Sequence, residues 1–350
     1  MTIEYTRRLE KIEAVLNESL PANLNPDWIS GTFGSVPSAV HTGHIAPLVE
    51  PCADLFHRGG KRWRPLLMVL SCELAGGGDR AYGLTPVVEL SHTASLIHDD
   101  IEDHADERRG KPSVHKLYGE DTAINAASWL YFHAQSVIEA FPCSDALKLI
   151  LFKTASRELR RLHLGQAMDI AWHRDPSRIP VRAEYEAMVS LKTGTLSRMA
   201  GEIGVLAAGK DESSAAAIGD LSAKIGVGFQ ILDDVRNLSS GNPGKNRGDD
   251  IVEGKKSLPV ILHLEKNPGD LDQLSAAFVR ARAEGITSAA VEEEISLLTA
   301  SGAVEEARLY GMQLIESTSL SFRGRYPDSP ATELICGLFD SMLSGLSVKE

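Results

Sequence analysis

Along most of the chain apolar residues recur at three- and four-residue intervals, the period of an amphipathic helix. Residues 4–20 place Leu9, Ile12, Val15, Leu16 and Leu20 on one side of such a helix. From Ile45 onward the pattern predicts helices over 46–57, 64–76, 81–103, 121–139, 144–173, 182–208 and 213–238, and then over 256–265, 270–284, 288–302, 303–321 and 330–346. Between the two regions, residues 21–45 carry Pro21, Pro26, Gly31, Gly34, Pro37 and Gly43 and read as an irregular connector. Alternating β-branched runs are few, so the fold class is all-α. The organisation expected is an N-terminal helix and connector over 1–45, followed by one helical domain over 46–350. Residues 239–254, rich in Gly and charge and including Lys245, form a loop suited to a mobile lid.

Composition narrows the function. Of 350 residues, 43% are hydrophobic and 24% charged, as in an ordinary globular enzyme. The net charge of −12 argues against non-specific binding of nucleic acid. Cys52, Cys72, Cys143 and Cys336 are scattered without metal-ligand spacing and read as free thiols of a reducing compartment. The first residues lack an apolar signal region, and no run approaches the roughly 18–20 apolar residues of a membrane span. A soluble cytoplasmic protein without an integral membrane segment is expected.

Two acidic clusters carry the candidate chemistry. Asp99 and Asp103 are four apart, one helical turn on the same face, with Asp100 beside them. The helix before them holds Val87, Val88, Leu90, Ala94, Leu96 and Ile97 and is apolar almost all round. Carboxylates at the end of a buried helix need cationic partners. Asp233, Asp234 and Asn237 repeat the arrangement after Gly226, Val227, Phe229, Ile231 and Leu232. Oxygen-only ligand sets suit hard divalent cations, and Mg²⁺ usually takes one or two carboxylates plus substrate phosphate oxygens. Facing each other, the two clusters would surround one cavity and hold several Mg²⁺ against a diphosphate.

Basic segments point to phosphate. Gly59-Gly60-Lys61-Arg62-Trp63-Arg64-Pro65 sets glycines before a cationic group at a helix start, which favours anions. Arg108-Arg109-Gly110 follows the first acidic cluster. Lys192-Thr193-Gly194 interrupts the 182–208 pattern with a glycine, and Lys245 and Lys255 flank the second cluster. Separate acidic and basic groups suit a site that holds one diphosphate through metals and another through Arg and Lys.

Taken in order, Gly-Gly-Lys-x-x-Arg-Pro, Asp-Asp-x-x-Asp…Arg-Arg-Gly, Gly165-Gln166, Lys192-Thr193-Gly, Gly228-Phe229-Gln230-x-x-Asp-Asp-x-x-Asn and Gly248-x-Asp-x-x-Glu-Gly-Lys255 resemble the trans-isoprenyl diphosphate synthases from about residue 57 to 262. The resemblance implies an isoprenoid-synthase-type helical bundle around a central cavity, and a homodimer. It implies a prenyltransferase that joins isopentenyl diphosphate to an allylic diphosphate (dimethylallyl, geranyl or farnesyl) by ionisation, condensation and proton elimination. Asp99, Asp100, Asp103, Asp233, Asp234 and Asn237 would bind about three Mg²⁺ holding the allylic diphosphate, with Arg108, Lys192 and Lys255 contacting the same group. Lys61, Arg64, His92 and Arg109 would bind isopentenyl diphosphate, and Thr193 and Gln230 would line the reacting centre. The second motif commonly ends in Asp; Asn237 is shared with eukaryotic-type geranylgeranyl diphosphate synthases, which the stretches 94–103 and 124–132 also resemble.

In such enzymes the growing chain runs down an apolar tunnel beside the helix of the first motif. Ala94, Ser95, Ser91 and Val88 are small and leave it open, with Trp129, Tyr131 or Phe132 as a floor, so a geranylgeranyl product is expected. A terpene cyclase on the same scaffold would need only one diphosphate site. A non-catalytic subunit of a heteromeric synthase would lack one acidic motif. The full basic set and both motifs favour condensation over either.

Overall fold

The computed structural model describes residues 3–241 and 246–344. Seventeen α-helices follow one another among these residues. They are α1 (Ile3–Ser19), α2 (Pro26–Phe33), α3 (Thr42–His57), α4 (Trp63–Leu74), α5 (Thr85–Glu102), α6 (Val114–Tyr118), α7 (Glu120–Ala140) and α8 (Asp145–His173). Next come α9 (Arg182–Val189), α10 (Thr195–Ala207), α11 (Glu212–Ser239), α12 (Asp249–Glu253) and α13 (Leu258–Lys266). The last are α14 (Leu271–Glu284), α15 (Ala289–Ala300), α16 (Ala303–Arg325) and α17 (Pro330–Ser344). The described strands are β1 (Glu107–Arg108) and β2 (Lys111–Pro112), one antiparallel hairpin. The all-α expectation holds. The part of the expected lid at 242–245, including Lys245, lies outside the described residues.

Three elements depart from the sequence expectation. The connector contains α2, which Asn25 caps by accepting the Trp28 N–H at 2.9 Å, with Pro26 in the first turn. A proline there costs no hydrogen bond, so it starts the helix rather than breaking it. The 182–208 pattern is interrupted at Lys192-Thr193-Gly194 as expected, but by a change of helix type. Residues 190–194 form a π-helical turn between α9 and α10, a rare geometry found mostly at functional sites. The segment before residue 254 also contains α12.

The chain divides into two compact units, Met1–Arg157 with Met199–Ile218, and Glu158–Arg198 with Gly219–Glu350. In the first, α5 packs against α1, α3, α4 and α7. Its core includes Leu55, Phe56, Leu67, Val88, Ala94, Ile97 and Leu130, all inaccessible to solvent. Arg62 crosses this core to Glu89 (2.7 Å) and Glu13 (2.9 Å), and its own backbone is left-handed (φ 47°) where it caps α4. In the second unit, Trp172, Tyr185 and Met188 pack on Ile231 and Val235 of α11 and Leu258 and Ile261 of α13. A neighbouring cluster joins Leu238, Ile251, Phe278, Val291 and Ile295. Helix α11 is long and apolar enough to cross a membrane by length and composition, but 61% of its most apolar window is buried inside the protein.

One buried charge in the second unit sets a pH dependence. Glu294 of α15 is 1% exposed, and neither carboxylate oxygen has a hydrogen-bond partner. Burial pushes its carboxyl up to about 8. Burial likewise brings the Lys256 amine, 3.8 Å from the Phe278 ring centre, down to about 8. The folded state holds the Glu294 proton better than the unfolded chain does. Stability from this group is therefore full below the ordinary glutamate value and is lost as pH rises toward 8. Glu294→Gln is expected to match wild type in thermal unfolding at pH 4.5 and to exceed it by about 2–5 °C at pH 8. Equal midpoints at both pH values would refute the assignment.

Candidate active site

In the first unit the site begins where α3 ends. Arg58 follows, with its side chain 2% exposed. It pairs with Asp54 at 2.5 Å and donates to the Arg108 carbonyl at 2.9 Å. It thereby fixes the hairpin that carries Arg108 and Arg109. The turn of that hairpin is two residues, Arg109 (φ 54°) and Gly110 (φ 73°). Positive φ at both positions matches the right-handed twist of paired strands, and glycine supplies it without strain at the second. Arg109 donates to the Leu55 carbonyl at 3.2 Å, and its guanidinium lies so near Gly60 that a Cβ there would sit 3.1 Å from Nη2. The two glycines before Lys61 thus leave room for Arg109. Lys61 itself is exposed.

Arg64, 7% exposed, stacks on Trp63 and reaches His92 Nε2 at 3.3 Å. Burial, reinforced by Arg64, Arg109 and Arg108, holds His92 well below its ordinary value and keeps the imidazole neutral. Burial also lowers the Arg64 guanidinium to about 10, and lowers Arg109. Arg64 and Arg109 therefore set two guanidinium groups beside a neutral imidazole where burial disfavours charge.

Asp99 and Asp100 lie in the last turn of α5, with Asp103 at its cap. Asp100 is inaccessible and accepts the Arg108 Nε–H at 2.7 Å. Arg108 also stands 3.6 Å from Asp99. Upstream on α5, Val88 and Ala94 are inaccessible and Ser91 is 1% exposed. The Ser91 and Ser95 hydroxyls turn back onto their own helix, to the Val87 and His92 carbonyls. Of the expected floor residues, Tyr131 is buried and stacks parallel to His98. Trp129 stacks on Phe33 and His133, while Phe132 is 72% exposed on the surface.

In the second unit, Lys192 and Thr193 stand in the π turn. Lys192 pairs with Asp169 at 2.6 Å. Burial pushes the Asp169 carboxyl up, but Lys192 and Lys255 outweigh it and hold it low. Gly165 lies directly beneath this turn, and a Cβ there would fall on the Lys192 backbone nitrogen. A hydrogen-bonded chain then runs from Thr193 Oγ1 to Gln230 Oε1 (2.9 Å), from Gln230 Nε2 to Asp234 Oδ1 (2.9 Å), and from Tyr185 Oη to Asp234 Oδ2 (2.7 Å). Burial raises Asp234 to about 6 against the pull of those two donors. Asp233 is more open and lies 3.5 Å from Arg236. Lys255 pairs with Glu253 at 2.6 Å and faces Asp250 at 4.0 Å. Asn237 is fully buried.

Within each unit, acidic residues from a helix end lie beside cations held by loops or turns. Sequence reasoning missed Arg58, Asp169 and Tyr185, which touch the expected residues from outside the motifs. Asp169 had one signal, an acid on the buried face of α8 three residues after Gln166.

The fold is all-α, and carboxylates near its helix ends lie beside guanidinium and ammonium groups. The sequence profile of the polyprenyl synthetase family matches residues 46–294. A geranylgeranyl pyrophosphate synthase of Apiospora sacchari is 35% identical over 75% of this chain and 76% of its own. One from Eremothecium gossypii is 32% identical over 85% and 93%. The crystal structure of a geranylgeranyl pyrophosphate synthetase from Pyrococcus horikoshii superposes with a TM-score of 0.80 at 27% identity, covering 96% of both chains. The chain belongs to the polyprenyl synthetase family and is a prenyltransferase.

Proposed function

We propose that this prenyltransferase condenses isopentenyl diphosphate with an allylic diphosphate and releases geranylgeranyl diphosphate as its main product. The observation that carries the reading is the pair of guanidinium groups of Arg64 and Arg109 with the neutral His92 beside Arg64, distinct from the carboxylates of the first motif. A one-substrate cyclase has no use for it. Lys61, exposed beside Gly60, completes the isopentenyl diphosphate site. Arg108, Lys192 and Lys255 bind the allylic diphosphate, and Thr193 and Gln230 border the reacting carbons.

Among the described residues no three His, Cys, Asp or Glu converge as a ready-made metal cage. The donors are carboxylate oxygens, and Asp99 and Asp233 keep part of their surface open, with side chains 18% and 36% exposed. That set fits Mg²⁺, which draws the rest of its coordination from water and substrate oxygens. Asp99, Asp100, Asp103, Asp233 and Asp234 would hold about three such ions for the allylic diphosphate. When bound, Mg²⁺ supplies neutralisation of the charge that develops on the leaving diphosphate. Arg108 and the two lysines add to this stabilisation as the allylic C–O bond breaks. The isopentenyl double bond forms the new C–C bond, and the departing diphosphate takes the proton then lost. The small, buried side chains of Val88, Ser91 and Ala94 would help keep water from the cation.

The test is to incubate the purified chain with isopentenyl diphosphate and each allylic primer and read product length. A hydrocarbon formed from geranylgeranyl diphosphate alone would favour a cyclase, and no turnover by the isolated chain would favour a subunit of a larger enzyme. A homodimer belongs to the same proposal. Helix α7 leaves Ile124 (46% exposed) and Phe132 (72% exposed) eight residues apart, two apolar side chains that a second copy could cover. Light scattering on the same preparation is expected to give twice the chain mass of 37.9 kDa. A monomer at micromolar concentration would refute it.

A further inference from the structure

We propose that Asn237 is a positioning residue for Lys255 and not a metal ligand, with Arg282 as the second fixing point of the same segment. The inference rests on the assignment of Lys255 to the allylic diphosphate. Asn237 closes the Asp-Asp-x-x-Asn motif near the end of α11 and has no accessible surface. Its side-chain oxygen accepts the Asp250 N–H at 3.2 Å. Its side-chain nitrogen reaches the Asn246 carbonyl at 3.5 Å, and its backbone carbonyl accepts the Gly248 N–H at 3.0 Å. Asp250 passes this hold on. Its carbonyl accepts the Lys255 N–H at 2.8 Å, and its carboxylate faces the Lys255 ammonium.

The far end of the segment is held separately. Arg282 of α14 donates through Nη2 to the Glu253 carbonyl (2.5 Å) and the His173 carbonyl (2.8 Å). Gly254 (φ 80°) packs against that guanidinium, and a Cβ there would sit 2.8 Å from Nη2. Helix α12 has five residues, too few to be stable alone, so its placement depends on these outside contacts. The chemistry of the amide explains why Asn stands here. An amide both accepts and donates, whereas a carboxylate only accepts and would set lone pairs against the Asn246 carbonyl.

The test compares Asn237→Ala, Asn237→Asp and wild type. In metal-free protein, hydrogen exchange followed by mass spectrometry over residues 246–255 is expected to be at least about tenfold faster in Asn237→Ala, the effect of losing one hydrogen bond of ~1.4 kcal/mol. Asn237→Asp keeps the acceptor for Asp250 but turns lone pairs on the Asn246 carbonyl, so its exchange is expected to fall between those of wild type and Asn237→Ala. In turnover, Asn237→Ala is expected to raise KM for the allylic diphosphate with KM for isopentenyl diphosphate unchanged. The half-saturating Mg²⁺ concentration should move by less than about threefold. Arg282→Lys, which keeps the charge but loses the planar fork, is expected to show the same exchange and KM pattern. Unchanged exchange in Asn237→Ala, or a tenfold Mg²⁺ shift without faster exchange, would overturn the proposal. Failure of wild type to condense the two diphosphates would instead overturn the functional reading and leave the exchange result standing.

Discussion

Asp99→Asn is expected to lower turnover by about 10²–10³-fold and to raise the Mg²⁺ concentration needed for half-maximal rate. Asp99 ends a helix whose other residues are largely buried, and its carboxylate keeps 18% of its surface accessible beside Arg108. Removing its charge would weaken the hold on the Mg²⁺ that would offset the charge developing on the leaving diphosphate. Folding should hardly change, because Asn keeps the shape and the site is already crowded with carboxylates that repel one another. Asp106→Asn is the control. Its side chain is 85% exposed and pairs with Lys116, itself 44% exposed, so no more than a twofold change is expected. Steady-state kinetics over a Mg²⁺ series reads both. If Asp99→Asn kept a third of wild-type turnover, this carboxylate would have no role in the chemistry.

The second large effect concerns product length. Ala94→Phe is expected to move the main product from geranylgeranyl to farnesyl diphosphate or shorter, with initial condensation preserved. Ala94 is inaccessible on α5, five residues above Asp99, and its neighbours Val88 and Ser91 are small as well. A phenyl group there fills whatever void the product tail uses. If no void existed, the same substitution would overpack the core at a cost of about 1–3 kcal/mol. Thermal unfolding and product chromatography on one preparation separate the two outcomes. A shorter product with a near-normal midpoint supports the tunnel, and a lowered midpoint with unchanged product removes it.

Both predictions rest on residues that the sequence already marked, and the reason is physical. Helices announce themselves through a local period, and paired carboxylates or a Lys-Thr-Gly run are local as well. What stayed hidden depends on partners far along the chain. Arg58 stands next to a recognised motif, yet its role lies fifty residues away, at the Arg108 carbonyl. Tyr185 has nothing around it to suggest the bond to Asp234, and Arg282 sits on a helix without any motif. The missed helix α2 is a different case. Its cap, Asn25, and its first-turn proline were visible, but a cluster of Gly and Pro drew the reading toward a loop. The π turn at 190–194 could not be anticipated, since one extra residue in a helix leaves hydrophobic spacing nearly unchanged.

The guanidinium groups of Arg64 and Arg109 bear on stability as well as on chemistry. Burial, and behind it Arg62, Arg108 and Arg58, hold Arg109 below its ordinary value against the pull of Glu89, a cost that a bound anion would offset. The chain's thermal resistance is therefore set partly by its surroundings, through the mass-action gain that any ligand of the native state provides. The diphosphate set free by each condensation is such an anion. If it binds there as it accumulates, the by-product is expected to raise the unfolding midpoint and to lower the rate together, so working lifetime and working rate would move in opposite directions.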